Sequence, residues 1–527
     1  MTTYHYIEPA TLASWLEDGA EIALIDVREE GLFGAGHALL ACNVPYSRLE
    51  LDFPALVPRR ATRVVLIGEE RPDGRSTAER AAERLAALGY TGVQLLAGGS
   101  AAWQAAGQPL FQGIYVPSKA FAECVELAFH TPTIEAAELH RLQQQGADLI
   151  VLDSRTTAEY ARYHVPGAIS CPGAELVLRF DDLVKSPATQ VVVSCAGRTR
   201  GIIGAQALIN AGVPNPVRAL QGGTQDWKLA GLAIESGATA VHGALGEAAH
   251  AAARVRGDDL ARRFDVPEIS LEQLHAWQAD DGRTTYLFDV RSPAEYGAAR
   301  LPGATGVAGG QLVQTLDKWV ATRGARVVLA DDLGVRAQVT AHWLRQLGWD
   351  AVVLRHAPDQ AIAVAADNAA PAAAISAEEA LALLAAGAAG ISVDASADYR
   401  AAHPRGAVWS NRSRIDALPQ AVRDAKALLV FAADGGVAQL YARDLAQAVA
   451  GRVQVVTGGA AQWRAAGIAL DSTPELPADA QRIDFLFWLH DRHTGNSAAS
   501  RAYLAWEAQL PQAIGSPAQA GFRLTPH

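Results

Sequence analysis

The segment IVLDSRTTAEYARYHVPGA (residues 150–168) carries the pattern that decides the fold, because related segments occur four times along the chain. The other three are ALIDVREEGLFGAGHA (residues 23–38), YLFDVRSPAEYGAARLPGA (residues 286–304) and GISVDASADYRAAHPRGA (residues 390–407). Each begins as a short apolar strand that runs into an aspartate, at Asp26, Asp153, Asp289 and Asp394. Such internal similarity predicts an array of four repeated domains.

The spacing after the aspartate supports this alignment. An arginine follows two residues later in the first three copies, at Arg28, Arg155 and Arg291. A histidine or arginine follows eleven residues later, at His37, His164 and Arg300. The fourth copy has Ser396 in place of the arginine and reaches His403 two residues early, so we interpret it as a shortened, decayed repeat.

Each repeat continues with an apolar strand, a loop and an amphipathic helix that ends at a glycine, the expected helix stop. In three repeats a further strand leads to a Gly-Gly turn and then a tryptophan, at Trp103, Trp227 and Trp463; the third repeat has LRHAPDQ there and lacks both. Alternating strands and helices with Val-, Leu- and Ile-rich strands predict an α/β fold, in which each repeat is a central parallel sheet covered by helices.

These patterns set the domain boundaries. We predict repeats at residues 1–112, 132–237, 268–362 and 371–473, followed by a helical C-terminal tail at 474–527. A chain of 527 residues is also too long for one hydrophobic core, which stops growing near ~250–300 residues.

Composition restricts the function classes. The net charge of −11 disfavours binding to nucleic acid or to an anionic membrane over a broad surface. Four cysteines without a C-x-x-C pair indicate neither a disulfide scaffold nor structural zinc, and no signal peptide or long apolar segment is present, so a cytoplasmic location is expected. His490 and His493 of the tail lack further ligands of fitting spacing, so no metal and no cofactor are expected.

A reactive side chain stands at one strand-to-helix turn, in VVVSCAGRTRGIIGAQALINAG (residues 191–212). Cys195 follows a buried strand directly and precedes a helix, which is the ligand-binding edge of a parallel sheet. The corresponding places in the other repeats hold Gly68, Asp331 and the region of Ala433. Repeats one, three and four are therefore expected to be inactive.

Three effects at this turn should favour the thiolate of Cys195. The backbone N–H groups from Ala196 to Gly201 can form an anion-binding nest, and the helix dipole adds its positive end. Arg198 and Arg200 add positive charge, so the thiol pKa is predicted to fall well below its free value of ~8.5. Gly197 and Gly201 are expected to supply positive φ angles and close backbone approach.

This combination resembles the rhodanese (thiosulfate sulfurtransferase) family, in the Asp-x-Arg strand ends, the HVPGA segment, the CAGRTRG loop and the GGTQDW turn. The resemblance implies that Cys195 takes a sulfane sulfur from thiosulfate or glutathione persulfide and passes it as a persulfide to cyanide or a thiol. Arg198 and Arg200 would hold the anionic end of the donor. The implied substrate-binding loop is Ala196, Gly197, Arg198, Thr199, Arg200 and Gly201.

Asp153, Arg155 and His164 are interpreted as structural support, because equivalent residues recur in repeats without the cysteine. Two-domain rhodaneses pair an inactive N-terminal domain with an active one. By that resemblance repeats one and two should form a pair, and repeats three and four a second, inactive pair.

Two other functions compete with this interpretation. A cysteine-dependent phosphatase or arsenate reductase needs the spacing C-x5-R, yet the residue at that distance from Cys195 is Gly201, and Arg200 closes a loop one residue shorter. The second alternative is a scaffold or persulfide relay that delivers sulfur to a partner enzyme.

Overall fold

A computed structural model describes residues 4–70, 74–237, 240–355, 374–492 and 495–526. Within these residues the chain has the predicted α/β class, with parallel sheets flanked by helices and repeated along the sequence. The predicted boundaries at residues 362 and 371, and most of LRHAPDQ, lie outside the described residues.

Repeat one contains a parallel sheet in the strand order β1-β5-β4-β2-β3. Its strands and helices are β1 (Tyr6–Ile7), α1 (Pro9–Glu17), β2 (Ile22–Asp26), α2 (Glu30–Ala35), β3 (Cys42–Asn43), α3 (Leu49–Leu56), β4 (Arg63–Ile67), α4 (Thr77–Ala87), β5 (Val93–Leu96) and α5 (Gly99–Ala105). Helix α6 (Val116–Phe129) follows, where a connecting helix fits the apolar pattern of the sequence.

Repeat two has the same arrangement, with the parallel strand order β6-β10-β9-β7-β8. Its elements are β6 (Thr133–Ile134), α7 (Ala136–Gln144), β7 (Leu149–Asp153), α8 (Thr157–Arg162), β8 (Ile169–Ser170), α9 (Glu175–Leu183), β9 (Gln190–Ser194), α10 (Thr199–Asn210), β10 (Val217–Leu220) and α11 (Gly223–Leu229). The long connection to repeat three contains α12 (Glu247–Arg263).

Repeat three repeats the order once more, as β11-β16-β15-β12-β13. Its elements are β11 (Glu268–Ile269), α13 (Leu271–Gln278), β12 (Thr285–Asp289), α14 (Pro293–Ala298), β13 (Thr305–Gly306), α15 (Gly309–Gln314), β14 (Thr322–Arg323), β15 (Arg326–Ala330), α16 (Val335–Gln346) and β16 (Asp350–Leu354).

Repeat four has a four-stranded sheet in the order β19-β17-β20-β21, and a small antiparallel pair, β18 with β22. Its elements are α17 (Ala377–Ala385), β17 (Ala389–Ser392), α18 (Ser396–Ala401), β18 (His403–Pro404), β19 (Val408–Trp409), α19 (Gln420–Arg423), β20 (Ala427–Phe431), α20 (Gly435–Leu445), β21 (Arg452–Val456), α21 (Ala460–Ala465) and β22 (Leu470–Asp471). The tail forms α22 (Phe487–Asp491) and α23 (Ser497–Ala513).

The strands of repeat two show why this sequence forms a covered parallel sheet. The central residues of β7 and β9 are apolar on both faces, and Val151, Leu152, Val192 and Val193 are all at most 2% exposed. Helix α8 begins with a capping box in which Thr156 and Glu159 satisfy each other's backbone N–H groups. Trp227 fills the core beside these elements at 0% exposure.

Strand pairing corrects the interpretation of repeat four. Ser392 ends β17 opposite Trp409 and Phe431, as Asp153 ends β7 opposite Ser170 and Ser194. Ser392 therefore stands where the other repeats have aspartate, and Asp394 stands where they have arginine. His403 then keeps the eleven-residue offset, so the repeat is substituted rather than shortened.

The grouping of the repeats also differs from the expectation. One compact unit contains the described residues of Met1–Asp18, Ile22–Ile114 and Ala366–Phe487, which are repeats one and four. The other contains the described residues of Gly19–Glu21, Tyr115–Ala365 and Trp488–His527, which are repeats two and three with the last part of the tail. The predicted pairs, one with two and three with four, are wrong: repeats two and three, which are adjacent in the chain, share one unit, and repeats one and four, which are not adjacent, share the other.

Candidate active site

Cys195 lies at the carboxyl end of the central strand β9, directly after Ser194. Helix α10 begins four residues later at Thr199, so the thiol lies between a strand end and a helix start as the sequence predicts. The residue is only 2% exposed.

The loop holds the sulfur through its backbone. The N–H groups of Gly197 and Gly201 hydrogen-bond to the thiol of Cys195. The Gly-Gly turn at the start of α11 fixes the loop from the other side: the Thr224 N–H donates to the Cys195 carbonyl at 2.8 Å, and the Gln225 N–H donates to the Ala196 carbonyl at 3.1 Å. These N–H groups make the loop a cradle that favours negative charge on sulfur.

The positive φ angle beside the loop is at Gly223 rather than at the predicted positions 197 and 201. Gly223 has a φ of +56°, and a Cβ there would lie 2.4 Å from the Cys195 carbonyl oxygen. Gly197 and Gly201 have no positive φ. A Cβ on Gly201 would make ordinary contact with Cys195 Sγ at 3.5 Å, so the predicted need for positive φ angles at 197 and 201 is wrong.

Arg200 is the arginine whose charge acts on the sulfur. Its Nη1 and Nη2 each donate to a carboxylate oxygen of Glu159 at 2.7 Å, and Nη1 also donates to Gln311 Oε1 at 3.2 Å. Burial lowers the pKa of the Arg200 guanidinium, but the hydrogen bonds and charge of Glu159 raise it by more, so the net pKa lies above its ordinary value. Arg200 therefore stays a fixed cation beside the loop.

The Arg198 side chain binds carboxylates of α6 instead of Glu159. Its Nε and Nη2 donate to the two carboxylate oxygens of Glu123 on α6, both at 2.7 Å, and Nη2 also bonds Glu126. Glu123 is 3% exposed, so this fork is largely removed from water. The contact ties the active loop to the helix that precedes repeat two.

The thiol pKa moves opposite to the prediction. Burial raises the pKa of Cys195 above its usual value, while the charge of Arg200 and the Gly201 and Gly197 N–H groups lower it only in part. The carboxylate of Glu507 adds to the rise. Burial costs an ion its hydration, and the sequence pattern contains no measure of that cost.

Asp153 and Arg155 form a buried pair at the end of β7. Arg155 Nη2 donates to Asp153 Oδ2 at 2.7 Å and to the Tyr163 carbonyl at 2.6 Å, with both side chains at most 1% exposed. His164 stacks on the Tyr160 ring with centroids 3.8 Å apart, and its Nδ1 lies 2.9 Å from the Tyr160 carbonyl. These contacts shape the repeat rather than the sulfur site.

The other repeats lack room or chemistry at the cysteine position. A Cβ at Gly68 would lie 2.4 Å from the backbone nitrogen of Ala78. In repeat three Asp331 accepts hydrogen bonds from the backbone and side chain of Arg336. In repeat four the register places Ala432, rather than Ala433, after the strand end.

Sequence reasoning missed three residues that lie at the site, Glu123, Gln225 and Glu507. Glu507 lies on α23 of the tail and is 2% exposed; its Oε1 accepts from the Tyr503 hydroxyl at 2.7 Å and lies 3.5 Å from Thr199 Oγ1. The tail has no repeat equivalent, so no pattern in the chain pointed to it.

The described residues hold no cluster of three or more His, Cys, Asp or Glu side chains arranged for a metal ion. His493, one of the two tail histidines noted in the sequence, lies outside them. Among the helices described, none is long and apolar enough to cross a membrane.

Comparison with known proteins gives relatives for most of the chain. The rhodanese-like domain family matches residues 8–106, 135–230 and 270–356, which covers repeats one to three. A crystal structure of a thiosulfate sulfurtransferase from Pseudomonas aeruginosa is 39% identical, covers 99% of both chains and superposes with a TM-score of 0.92. That agreement extends over repeat four and the tail.

Curated relatives match shorter stretches. A helix-turn-helix-type transcriptional regulator of Mycobacterium tuberculosis is 34% identical over 110 residues, 21% of this chain, and the chain spans 47% of that protein. A thiosulfate sulfurtransferase of Pseudomonas aeruginosa is 29% identical over 224 residues, covering 36% of this chain and 81% of that protein. This chain covers 81% of that curated sulfurtransferase and 99% of the crystallised one. These two relatives support sulfur transfer in general.

Proposed function

Because the chain belongs to the rhodanese-like domain family, we propose that it is a sulfurtransferase in which Cys195 carries a sulfane sulfur from an anionic donor to cyanide or a thiol. The observation that carries the proposal is the cradle at Cys195. It combines a thiol at a strand end, two backbone N–H groups on its sulfur and the fixed charge of Arg200.

The transfer proceeds in two displacements. The Cys195 thiolate attacks the outer sulfur of thiosulfate, the sulfur–sulfur bond of the donor breaks, and sulfite leaves with the bonding electrons. The acceptor then attacks the outer sulfur of the Cys195 persulfide and leaves as thiocyanate or a new persulfide, while Cys195 returns to the thiolate.

The loop residues have distinct tasks in this scheme. The N–H groups of Gly197 and Gly201 stabilise negative charge on sulfur, and the Arg200 charge attracts the anionic donor. Arg198 holds the loop in place through its bond to Glu123 on α6. Ala196 and Thr199 hold the backbone that carries these groups.

The loss of the thiol tests the proposal. Cys195→Ser should reduce thiocyanate formation from thiosulfate and cyanide below a few per cent, because a hydroxyl cannot carry a sulfane sulfur. Cys171→Ala is the matched control, since Cys171 is also buried but lies outside the loop of residues 195–201, and it should be dispensable. Mass spectrometry after thiosulfate treatment should find one added sulfur on the Cys195 peptide.

Sulfur transfer by the Cys195→Ser protein would disprove the assignment. A second assay separates the phosphatase alternative: hydrolysis of an aryl phosphate that depends on Cys195 would favour that class instead. Replacing cyanide by a protein thiol as acceptor tests the relay alternative with the same enzyme.

A further inference from the structure

Two buried polar side chains at the active loop have unused hydrogen-bonding atoms. Glu507 is 2% exposed, and its Oε2 has no hydrogen-bond partner among the described residues. Gln225 is 5% exposed, and neither its Nε2 nor its Oε1 has a partner within the part of the chain that the structure describes. Buried polar atoms are nearly always bonded in folded proteins, so each of these atoms calls for a partner.

Both side chains face the same point of the loop. A Cβ on Gly197 would lie 3.0 Å from Glu507 Oε2 and 3.3 Å from Gln225 Nε2. Gly197 also donates its N–H to the Cys195 sulfur. Glu507 and Gln225 therefore lie next to a residue that contacts the reacting atom. A donor that extends from Cys195 past Gly197 would reach both side chains.

Helix α23 forms one wall of this site. Leu504 lies one turn before Glu507, and its Cδ2 would be 3.7 Å from the same Gly197 Cβ. Lys119 of α6 lies over the rings of Tyr503 and Trp506, which fixes the helix beside the loop. The wall combines an apolar side chain with one carboxylate.

The free atoms define the chemistry of the ligand. A carboxylate oxygen accepts hydrogen bonds only, so Glu507 Oε2 needs an N–H or O–H donor. The Gln225 amide can donate and accept at once, which fits a peptide-type amide. Thiosulfate offers no hydrogen-bond donor, so it can accept from Gln225 Nε2 but leaves Glu507 Oε2 and Gln225 Oε1 without a donor.

We propose that Glu507 and Gln225 are specificity-determining residues that bind the amide N–H and C=O groups of a small-thiol persulfide, the donor class this site prefers to thiosulfate. The transfer of sulfur from this donor rests on the proposed function, in which Cys195 is the sulfur carrier. The Cys195 thiolate attacks the outer sulfur of R–S–S⁻ and keeps it, and R–S⁻ leaves with the bonding electrons and takes a proton from water.

The first experiment compares donors on the full-length protein. We measure kcat/KM for glutathione persulfide and for thiosulfate with wild type, Glu507→Gln and Gln225→Leu. The ratio of the two values should fall at least tenfold in each variant, and Glu507→Gln should also lower KM for thiosulfate because a negative charge is removed. Glu272→Gln, an exposed carboxylate on α13, is the control and should keep the wild-type ratio.

The second experiment measures binding without turnover. S-methylglutathione, which carries the amides but no transferable sulfur, should bind Cys195→Ser protein in calorimetry. Adding Glu507→Gln or Gln225→Leu should weaken that binding at least tenfold. Glutamine keeps the acceptor for Tyr503, so Glu507→Gln should melt at the wild-type temperature.

The outcomes separate the two proposals. An unchanged donor ratio in both variants overturns this inference, even when Cys195 transfers sulfur normally. S-methylglutathione that fails to bind, or binds both variants as well as the parent, overturns it too, because the free atoms then serve only ordered water. Activity that survives Cys195→Ser disproves the proposed function, while the calorimetry still decides the inference.

Discussion

Arg198 and Arg200 stand two positions apart in the sequence but act on different parts of the site. Arg200 is coupled to the Cys195 sulfur, whereas Arg198 is committed to Glu123 and Glu126 on α6. A helix start turns successive side chains through about 100° each, so neighbours at such a turn point to different surroundings. The two arginines should therefore give different phenotypes when replaced.

Alkylation of Cys195 tests this difference. Arg200→Gln removes a charge that lowers the thiol pKa, so the pH at which iodoacetamide labels Cys195 at half its maximal rate should move upward. Arg198→Gln should leave that pH nearly unchanged. Peptide mass spectrometry follows Cys195 separately from the three other cysteines. Equal shifts in both variants would contradict the assignment.

Glu159 makes the fold sensitive to acid. Burial raises the pKa of this carboxyl, but the hydrogen bonds and charge of Arg200 lower it by more. The net effect is a pKa of about 2, below the ordinary 4.5. A pKa depressed on folding contributes stability that is complete above the ordinary value and is lost as the pH falls through the folded one. The contribution of Glu159 should therefore disappear between about pH 4.5 and pH 2.

Urea unfolding at a series of pH values measures this contribution. The wild-type midpoint should fall more steeply below pH 4.5 than that of Glu159→Gln, which has no proton to bind. Glu138→Gln is the control, because that carboxylate is 46% exposed. Parallel curves for wild type and Glu159→Gln would show that the Arg200 pair does not stabilise the fold.

At the scale of single elements, the recurring Asp-x-Arg pair acts as a clamp at a strand end. In repeats one, two and three the arginine donates to the aspartate and to the carbonyl eight residues further along the chain. The pair therefore fixes the path from the strand through the following short helix. Repeat four lacks it, and Asp394 instead accepts from the Ala433 N–H at 2.7 Å.

Breaking this clamp should destabilise repeat two. Asp153→Ala leaves Arg155 as a buried, unpaired charge, a change that typically costs about 3–5 kcal/mol. Glu138→Ala removes the exposed Arg218 pair and should cost at most about 1 kcal/mol. Urea unfolding followed by circular dichroism compares them, and a loss below about 1 kcal/mol for Asp153→Ala would contradict the role of the clamp.

At the scale of the whole molecule, the chain order of the repeats differs from their packing order. Helix α12 lies against α9 of repeat two and α16 of repeat three, with Leu260 and Ala253 buried at 1% and 0% exposure. Arg336 of repeat three donates to Glu175 of repeat two at 2.8 Å within this packing. Repeat two is thus built into one unit with repeat three.

Truncation tests this arrangement. A fragment of residues 1–237 separates repeat two from repeat three and from α12, so it should be poorly soluble and bind hydrophobic dyes. A fragment of residues 115–355 keeps repeats two and three together and should melt cooperatively. Soluble yield, dye binding and thermal melts compare them. A folded, fully active 1–237 fragment would show that repeats one and two form the functional pair.

The sequence by itself determined the local plan of this protein. Strand ends, the cysteine at the turn and the α/β class follow from patterns within about twenty residues, and strand, turn and helix preferences act over that range. The eleven-residue offset from Asp153 to His164 could be recognised in the sequence for the same reason, because both residues belong to one local segment. The error in repeat four came from aligning Asp394 by residue type, where strand pairing selects Ser392.

Tertiary structure decided how those parts meet. The grouping of repeat two with repeat three, the partner of Arg198 and the approach of Glu507 all depend on contacts between residues far apart in the chain. The direction of the Cys195 pKa shift belongs here too, because it depends on how much water packing removes from the thiol. Burial and long-range contact are set by the assembled chain, and a local pattern does not contain them.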